Sequence, residues 1–403
     1  MAGREGANHF KGMAAQGNAG ELPPPDAVAQ AHSEQLQAHI RDVIDADGGR
    51  IDFARFMQLA LYAPGLGYYS AGSRKFGEAG DFVTAPEISS LFSRSLARQC
   101  QEVLSCIGGD ILEFGAGSGT MATDILGELD RLGSLPEHYF ILEISADLRE
   151  RQRETLQQKV PLLAERVVWL DALPESFEGV VLGNEVLDAM PVHRFHISEG
   201  EPRELYVMWD GKQFALEEGA VDAALYSRLQ ALQSEFGLTE GYQSEINLMA
   251  EEWVAGLGNW LKRGVALLID YGFPRAEYYH PQRSGGTLMC HYRHRAHDDA
   301  LSLIGLQDIT AHVDFTAVAE AALAAGLSVR GFANQANFLI GCGLTELLAE
   351  EEGDSRTQLS LAAEVKTLTL PSEMGELFKV IALSRGWEGG LRGFALRDER
   401  ARL

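Results

Sequence analysis

In this 403-residue chain, acidic residues stand at the ends of successive apolar runs. "DILEFG" sets Glu113 before a glycine turn, "FILEIS" ends on Glu143, "VVWLDALP" passes through Asp171, and "GVVLGNEVLDAMPV" supplies Asn184, Glu185 and Asp188. A carboxylate at such an end can accept both hydroxyls of a ribose, or hold the exocyclic amine of an adenine. Each acid alone is equally well read as a helix cap. Three strand ends in succession, Glu113, Glu143 and Asp171, weight the reading towards a ligand. Glu185 and Asp188 are three residues apart, so on a helical turn their carboxylates share a face; the plainer alternative is acids favoured by a helix N-terminus.

The turn itself is Gly115-Ala-Gly117-Ser118-Gly119, a glycine-rich link from an apolar run to an amphipathic helix. It brings main-chain N–H groups to the carboxyl edge of a sheet, where open α/β folds bind ligands. A dinucleotide fingerprint needs a third glycine where Thr120 stands, and no Gly-Lys-Ser/Thr follows to make a phosphate loop. The stretch resembles motif I of class I S-adenosylmethionine methyltransferases. That resemblance implies that the glycines pass close to the aminoacyl part of the cofactor and that Glu113 faces its ammonium end.

These residues need a frame. Strands are expected at residues 111–114, 139–143, 167–170, 180–183 and 265–270, with helical runs between most of them, and a last strand over "LFKVIALS". Such alternation predicts an α/β fold with a parallel sheet covered on both faces. A helix is expected over residues 31–44, a second from Asp52 to just before Pro64, and a long one from Thr84-Ala-Pro towards Leu104. Thr84 to Glu87 also fits a capping box. Between the fourth and fifth strands lie roughly eighty residues where a crossover needs about a dozen. This insertion opens with a hairpin around Asp210-Gly211 and continues as helices through Leu261. An irregular stretch up to Ala311 is too long for a simple connection. The division expected is a disordered tail at 1–30, a helical region at 31–105, a core at 106–193 and 263–403, and the insertion at 194–262.

Composition narrows the partners. A formal charge of −24 argues against nucleic acid and anionic membranes, which need a basic face. It leaves room for a cationic protein partner. No window nears eighteen consecutive apolar residues. Cys100, Cys106, Cys290 and Cys342 form no metal-ligand spacing, which suits free thiols in a reducing compartment. "CHYRHRAHDD" offers His291, His294, His297 and Asp298, yet helical spacing spreads the imidazoles and no recognised set is completed, so no metal is expected.

"FARFMQLALYAPGLGYY", "GDFVTAPEIS", "LEFGAGSG", "GNEVLDAMPV", "LLIDYG", "YRHRAHDD", "DITAHVDF" and "PSEMGELFKVIAL" together resemble the MidA-type methyltransferases, over nearly the whole chain. The resemblance implies a seven-stranded, mostly parallel class I sheet with extra N-terminal helices, and S-adenosyl-L-methionine as cofactor. Its mitochondrial member is an arginine methyltransferase that assists assembly of respiratory complex I. A protein bearing an accessible arginine, in the limit a complex I subunit, is therefore the expected partner. A methyltransferase of a small molecule or of another protein side chain, and a cofactor-binding assembly chaperone, stand as alternatives, and a homodimer is left open. The location expected is cytoplasmic, or the mitochondrial matrix in a eukaryote. A guanidinium stays protonated and needs carboxylates to fix it, which points to Glu185 and Asp188 as catalytic, with Asn184 orienting them and also touching the cofactor. Asp81 and Thr84 are expected to cover the cofactor. Asp270, Tyr271, Tyr292, His294 and His312 are expected on the substrate side.

Overall fold

A computed structural model of the chain describes residues 22–71 and 84–403. Seven strands pair in one sheet: β1 (Asp110–Phe114), β2 (Tyr139–Leu142), β3 (Val167–Leu170), β4 (Phe177–Asn184), β5 (Leu261–Phe273), β6 (Ser328–Asn334) and β7 (Phe378–Arg385). Their order is β3-β2-β1-β4-β5-β7-β6. β1 to β5 run parallel, and β7 is antiparallel to both β5 and β6. The short strand Val313–Asp314 pairs parallel to the far end of β5 and adds an eighth member. The central strands are buried on both faces, so each reads as a near-continuous apolar run.

Two cores cover the sheet. One packs Ile111, Ile141, Val180 and Leu182 under helices Ser90–Ile107 and Thr120–Arg131. The other packs Leu112, Val181 and Leu268 under helices Leu248–Trp260 and Phe315–Ala324. Side chains of the two sets alternate along each strand, as the two-residue period demands.

A third core joins chain segments that are far apart in sequence. Helices Ala27–Ala46 and Phe53–Tyr62 pack with Val192, Val207 and Phe214 of the insertion and with Cys290, Ile304 and Ile309. The insertion strands His193–Ser198, Glu201–Trp209, Phe214–Gly219 and Gln243–Ile246 form a second sheet, joined at its edge by Arg50–Asp52. The expected hairpin at Asp210 is present, and its carboxylate accepts the N–H groups of Lys212 and Gln213, each at 2.8 Å. The insertion is not helical throughout, since Gln243–Ile246 is a strand between helices Ala223–Phe236 and Leu248–Trp260. The stretch expected to be irregular holds a three-stranded sheet of Met289–Tyr292, Arg295–His297 and Asp308–Thr310.

Two boundaries differ from the sequence reading for local reasons. The first helix begins at Ala27, within the expected tail, because Asp26 caps it by accepting from Val28 and Ala29. The expected long helix is two, Ala85–Ile88 and Ser90–Ile107, separated by Ser89 in an extended conformation. Ser89 caps the second helix, taking the Leu91 N–H, whereas Thr84 makes no capping bond. Among the described residues no helix is long and apolar enough to cross a membrane.

Candidate active site

The glycine turn closes β1 and opens helix Thr120–Arg131. Gly115, Gly117 and Gly119 have φ of 62°, 53° and 83°, a left-handed region that other residues enter only with strain. Open space lies in front of Gly117, where an added Cβ would meet nothing within 4 Å. Gly119 is tighter, with the Gln152 Cα 3.1 Å from such an atom. Ser118 sits on the same turn, its hydroxyl 2.9 Å from that of Thr120.

Gln152 ties the turn to the neighbouring strand ends. Its amide donates to the Gly117 carbonyl at 3.0 Å and to the Glu143 carboxylate at 3.2 Å, while its oxygen accepts from the Trp169 indole at 2.9 Å. Glu143 also accepts the Ser145 N–H at 2.9 Å and is almost fully buried. Burial pushes this carboxyl up from its ordinary range. The next residue, Ile144, is 65% exposed, an apolar surface placed beside a buried acid at the tip of β2. An adenosine needs that pairing: an acceptor for ribose hydroxyls and an apolar face for the base. Asp171, past β3, has a side chain 90% exposed and held by Arg149 at 2.6 Å. Arg149 also donates to the carbonyls of Glu143 and Leu170, so it fixes the ends of β2 and β3 together. Glu113 is buried on β1 and accepts the Tyr139 hydroxyl at 2.6 Å. Burial is the main force that pushes it up to about 7, against the Tyr139 bond. The residues present fit S-adenosyl-L-methionine: a glycine cradle with room in front of it, and buried acids along the strand ends.

The turn after β4 carries the second group of acids. Asn184 donates to Glu185 at 3.1 Å, and Glu185 adopts φ of 53°, a left-handed conformation rare for a residue with a side chain. The turn holds this shape because it is braced from several directions. Asp270 of β5 accepts the N–H groups of Leu187 and Asp188 at 2.9 and 3.2 Å. Asn247 donates to the carbonyls of Leu187 and Met190. Ala311 donates its N–H to the Asp188 carbonyl at 3.0 Å.

Electrostatically the turn is unbalanced. Burial, then Asp188, pushes Glu185 up to about 8. Burial likewise raises Asp188, against a hydrogen bond from Tyr271, and raises Asp270 further, with Asp188 and Glu185 adding like charge. Among the described residues no lysine or arginine figures in the forces that set these three. Asp188 Oδ1 and Asn184 Oδ1 are buried with no hydrogen-bond partner among the described residues.

The expected substrate residues divide. Asp270 is 1% exposed and its oxygens serve Leu187, Asp188 and its own neighbour Tyr271. It braces the turn and presents no edge to a substrate, because a strand-tip carboxylate beside an irregular turn is consumed by the backbone N–H groups there. Tyr271 bonds Asp188 and stands edge-on to His312, with centroids 5.0 Å apart. His312 stacks on Phe273, and burial pushes its imidazole down to about 3, so it is neutral. Tyr292 packs with Ala29 and Leu306, and His294 is exposed at the tip of a hairpin with φ of 60°. Tyr292 thus packs against the N-terminal helix. Asp81 is outside the described residues; Thr84 begins helix Ala85–Ile88.

Sequence reasoning missed Gln152, Trp169, Arg149, Tyr62, Tyr69 and Asp308. The Tyr62 hydroxyl donates to the Ala189 carbonyl at 2.9 Å, and that of Tyr69 donates to Asp308 at 2.8 Å. Both tyrosines stand in a quoted motif, "YAPGLGYY", and nothing in their spacing says that they reach the strand ends. Among the described residues no group of three or more His, Cys, Asp or Glu could hold a metal ion.

Residues 95–333 match the model of a family described as S-adenosyl-L-methionine-dependent methyltransferase. A crystal structure from Burkholderia thailandensis, bound to S-adenosyl-homocysteine, superposes with a TM-score of 0.91 at 47% identity, covering 95% of this chain and all of that one. The chain is also similar to protein arginine methyltransferase NDUFAF7, mitochondrial, of Rattus norvegicus, 29% identical over 369 residues, which are 83% of this chain and 81% of the relative. The Drosophila melanogaster homologue is 28% identical over 408 residues, 90% of this chain and 88% of its own.

Proposed function

This chain belongs to the S-adenosyl-L-methionine-dependent methyltransferase family, and from that premise we propose that it methylates an arginine of a protein substrate. The observation that carries the reading is the pair of carboxylates after β4, half-buried Glu185 and buried Asp188, with no cation paired to them among the described residues. Buried like charges are costly unless a partner neutralises them. A guanidinium supplies a permanent charge and a planar fork of donors that matches carboxylates. Names borne by relatives point the same way, since those of Rattus norvegicus and Drosophila melanogaster are protein arginine methyltransferases.

The cofactor, when bound, supplies a methyl group on a sulfonium. Gly115, Gly117, Ser118 and Gly119 would set its aminoacyl end against main-chain amides, with Glu113 towards the ammonium. Glu143 would take the ribose hydroxyls and Asp171 the adenine amine. Asn184 donates to Glu185 and would orient it. Glu185 and Asp188 fix the guanidinium and keep its charge away from the nitrogen that attacks. The nitrogen that is methylated must shed a proton, and Glu185 would take it up. An acid pushed up to about 8 is well matched to that task near neutral pH.

The test is transfer of label from S-adenosyl-L-methionine into lysate of cells that lack the protein, followed by mass spectrometry of the labelled residue. Labelled arginine in a protein, lost with Glu185→Gln while cofactor binding persists, supports the reading. Label confined to nucleic acid or metabolites overturns it. A respiratory complex I subunit, the substrate implied by the family resemblance, is the first protein to assay.

A further inference from the structure

The N-terminal lobe delivers two aromatic rings to the turn that carries Asp188. Tyr62 ends helix Phe53–Tyr62 and Tyr69 follows it in a compact loop; their rings stack with centroids 5.4 Å apart and planes 23° from parallel. Tyr68 meets Tyr69 edge-on at 5.0 Å. Both stacked rings are half-buried.

Their hydroxyls are occupied elsewhere and lock the ring planes. Tyr62 donates to the carbonyl of Ala189, the residue after Asp188, and Tyr69 donates to the buried Asp308. The strand bearing Asp308 is itself anchored to the site, because Ala311 bonds the Asp188 carbonyl. Carboxylates surround the stack: Asp308, Asp188 and Glu143 all push the Tyr62 phenol further up after burial has raised it. With their polar ends spent, the two stacked tyrosines have ring surface rather than hydroxyls to offer beside the turn that carries Asp188.

A flat cation suits that environment better than a round one. A guanidinium can lie on a ring and still direct its edge donors into a carboxylate, and it is weakly hydrated. A primary ammonium is a strongly hydrated point charge that cannot stack. We propose that the stacked Tyr62–Tyr69 pair forms a wall of the acceptor pocket and selects a planar guanidinium over a primary ammonium. This inference rests on the arginine reading above. Neither residue belongs to the stretch 95–333 matched by the family model, so the wall is a contribution of the N-terminal lobe to the specificity of the core.

The experiment uses the full chain loaded with S-adenosyl-homocysteine and two peptides: the one around the arginine that takes label, and a copy with lysine at that position. Calorimetry measures both on the wild type, Tyr62→Phe and Tyr62→Leu. Tyr62→Phe keeps the ring and is expected to keep the preference for arginine. Tyr62→Leu is expected to lose roughly three- to thirty-fold in arginine-peptide affinity, with the lysine peptide and S-adenosyl-homocysteine unmoved. An equal loss on both peptides, or no loss, assigns Tyr62 to packing and overturns the wall while arginine methylation stands. Label on a residue other than arginine overturns both. Should Tyr62→Leu fail to fold, Tyr69→Leu asks the same question with the Tyr62–Ala189 bond kept.

Discussion

Gln152 Nε2 lies 3.0 Å from the Gly117 carbonyl and donates to it across 35 positions of sequence. The same side chain holds Glu143 and receives the Trp169 indole, so one amide fixes the glycine turn against the ends of β2 and β3. It sits on helix Ala146–Lys159 and is fully buried. Gln152→Ala is expected to leave a half-buried indole N–H and a buried carboxylate short of partners, costing about 1–3 kcal/mol of stability. Affinity for S-adenosyl-L-methionine should fall roughly tenfold, about one lost net hydrogen bond. Denaturant titration and calorimetry on the same variant check the two effects, and retained cofactor affinity would show that the turn holds itself.

The three glycines of the turn are not equivalent, and alanine at each should say so. Gly117→Ala meets open space and is expected to cost about 1–2 kcal/mol for the left-handed backbone alone. Gly119→Ala bears that strain and a contact with the Gln152 Cα at 3.1 Å, backbone that cannot swing aside. It should be the more destabilising of the two by thermal unfolding. Equal costs would mean that helix Ala146–Lys159 gives way without penalty.

Glu185 is expected to set the pH dependence of the reaction. Its carboxyl, pushed up to about 8, is mostly protonated in the free protein at neutral pH, and only its ionised form attracts a guanidinium. Two units below that value roughly 1% is ionised. The ratio kcat/KM, which reports the free enzyme, is therefore expected to climb between pH 6 and 8 and level off above. Glu185→Gln should flatten that limb and lower kcat by about a hundredfold or more. A wild-type profile flat from pH 6 to 9 would assign the role to another group.

Much of the frame is legible in the sequence because parallel strands buried on both faces leave long apolar runs, and glycine turns and acids mark where they end. β6 escaped for a physical reason. Its sequence, "SVRGFAN", is interrupted by Gly331, where the ladder shifts register and the Phe394 ring comes so near that no Cβ fits. The small sheet at Met289–Tyr292, Arg295–His297 and Asp308–Thr310 has strands of three or four residues, too short to show a period. Asp270 was legible as a strand-tip acid, but not as one whose oxygens the Leu187 and Asp188 N–H groups consume. The Tyr69–Asp308 bond spans 239 positions, and only the packing of the third core brings its ends together.

Glu113 is expected to link folding, pH and cofactor uptake. Its carboxyl is pushed up to about 7 from near 4.5, first by burial, so between those values the folded protein holds a proton that the unfolded chain has lost. The sign follows from linkage: the contribution is fully present below about pH 4.5 and is lost as pH rises through about 7. For this group the loss is on the order of 3 kcal/mol at most. Glu113→Gln keeps an acceptor for the Tyr139 hydroxyl and removes the titration, so its stability should fall less than that of the wild type between pH 5 and 8. Urea midpoints at the two pH values measure the difference, and parallel slopes would remove Glu113 from the account. An ammonium placed against Glu113 would favour its ionised form. Uptake of S-adenosyl-L-methionine near pH 6 should then release protons in the wild type, and fewer in Glu113→Gln, as calorimetry in buffers of different ionisation enthalpy would register.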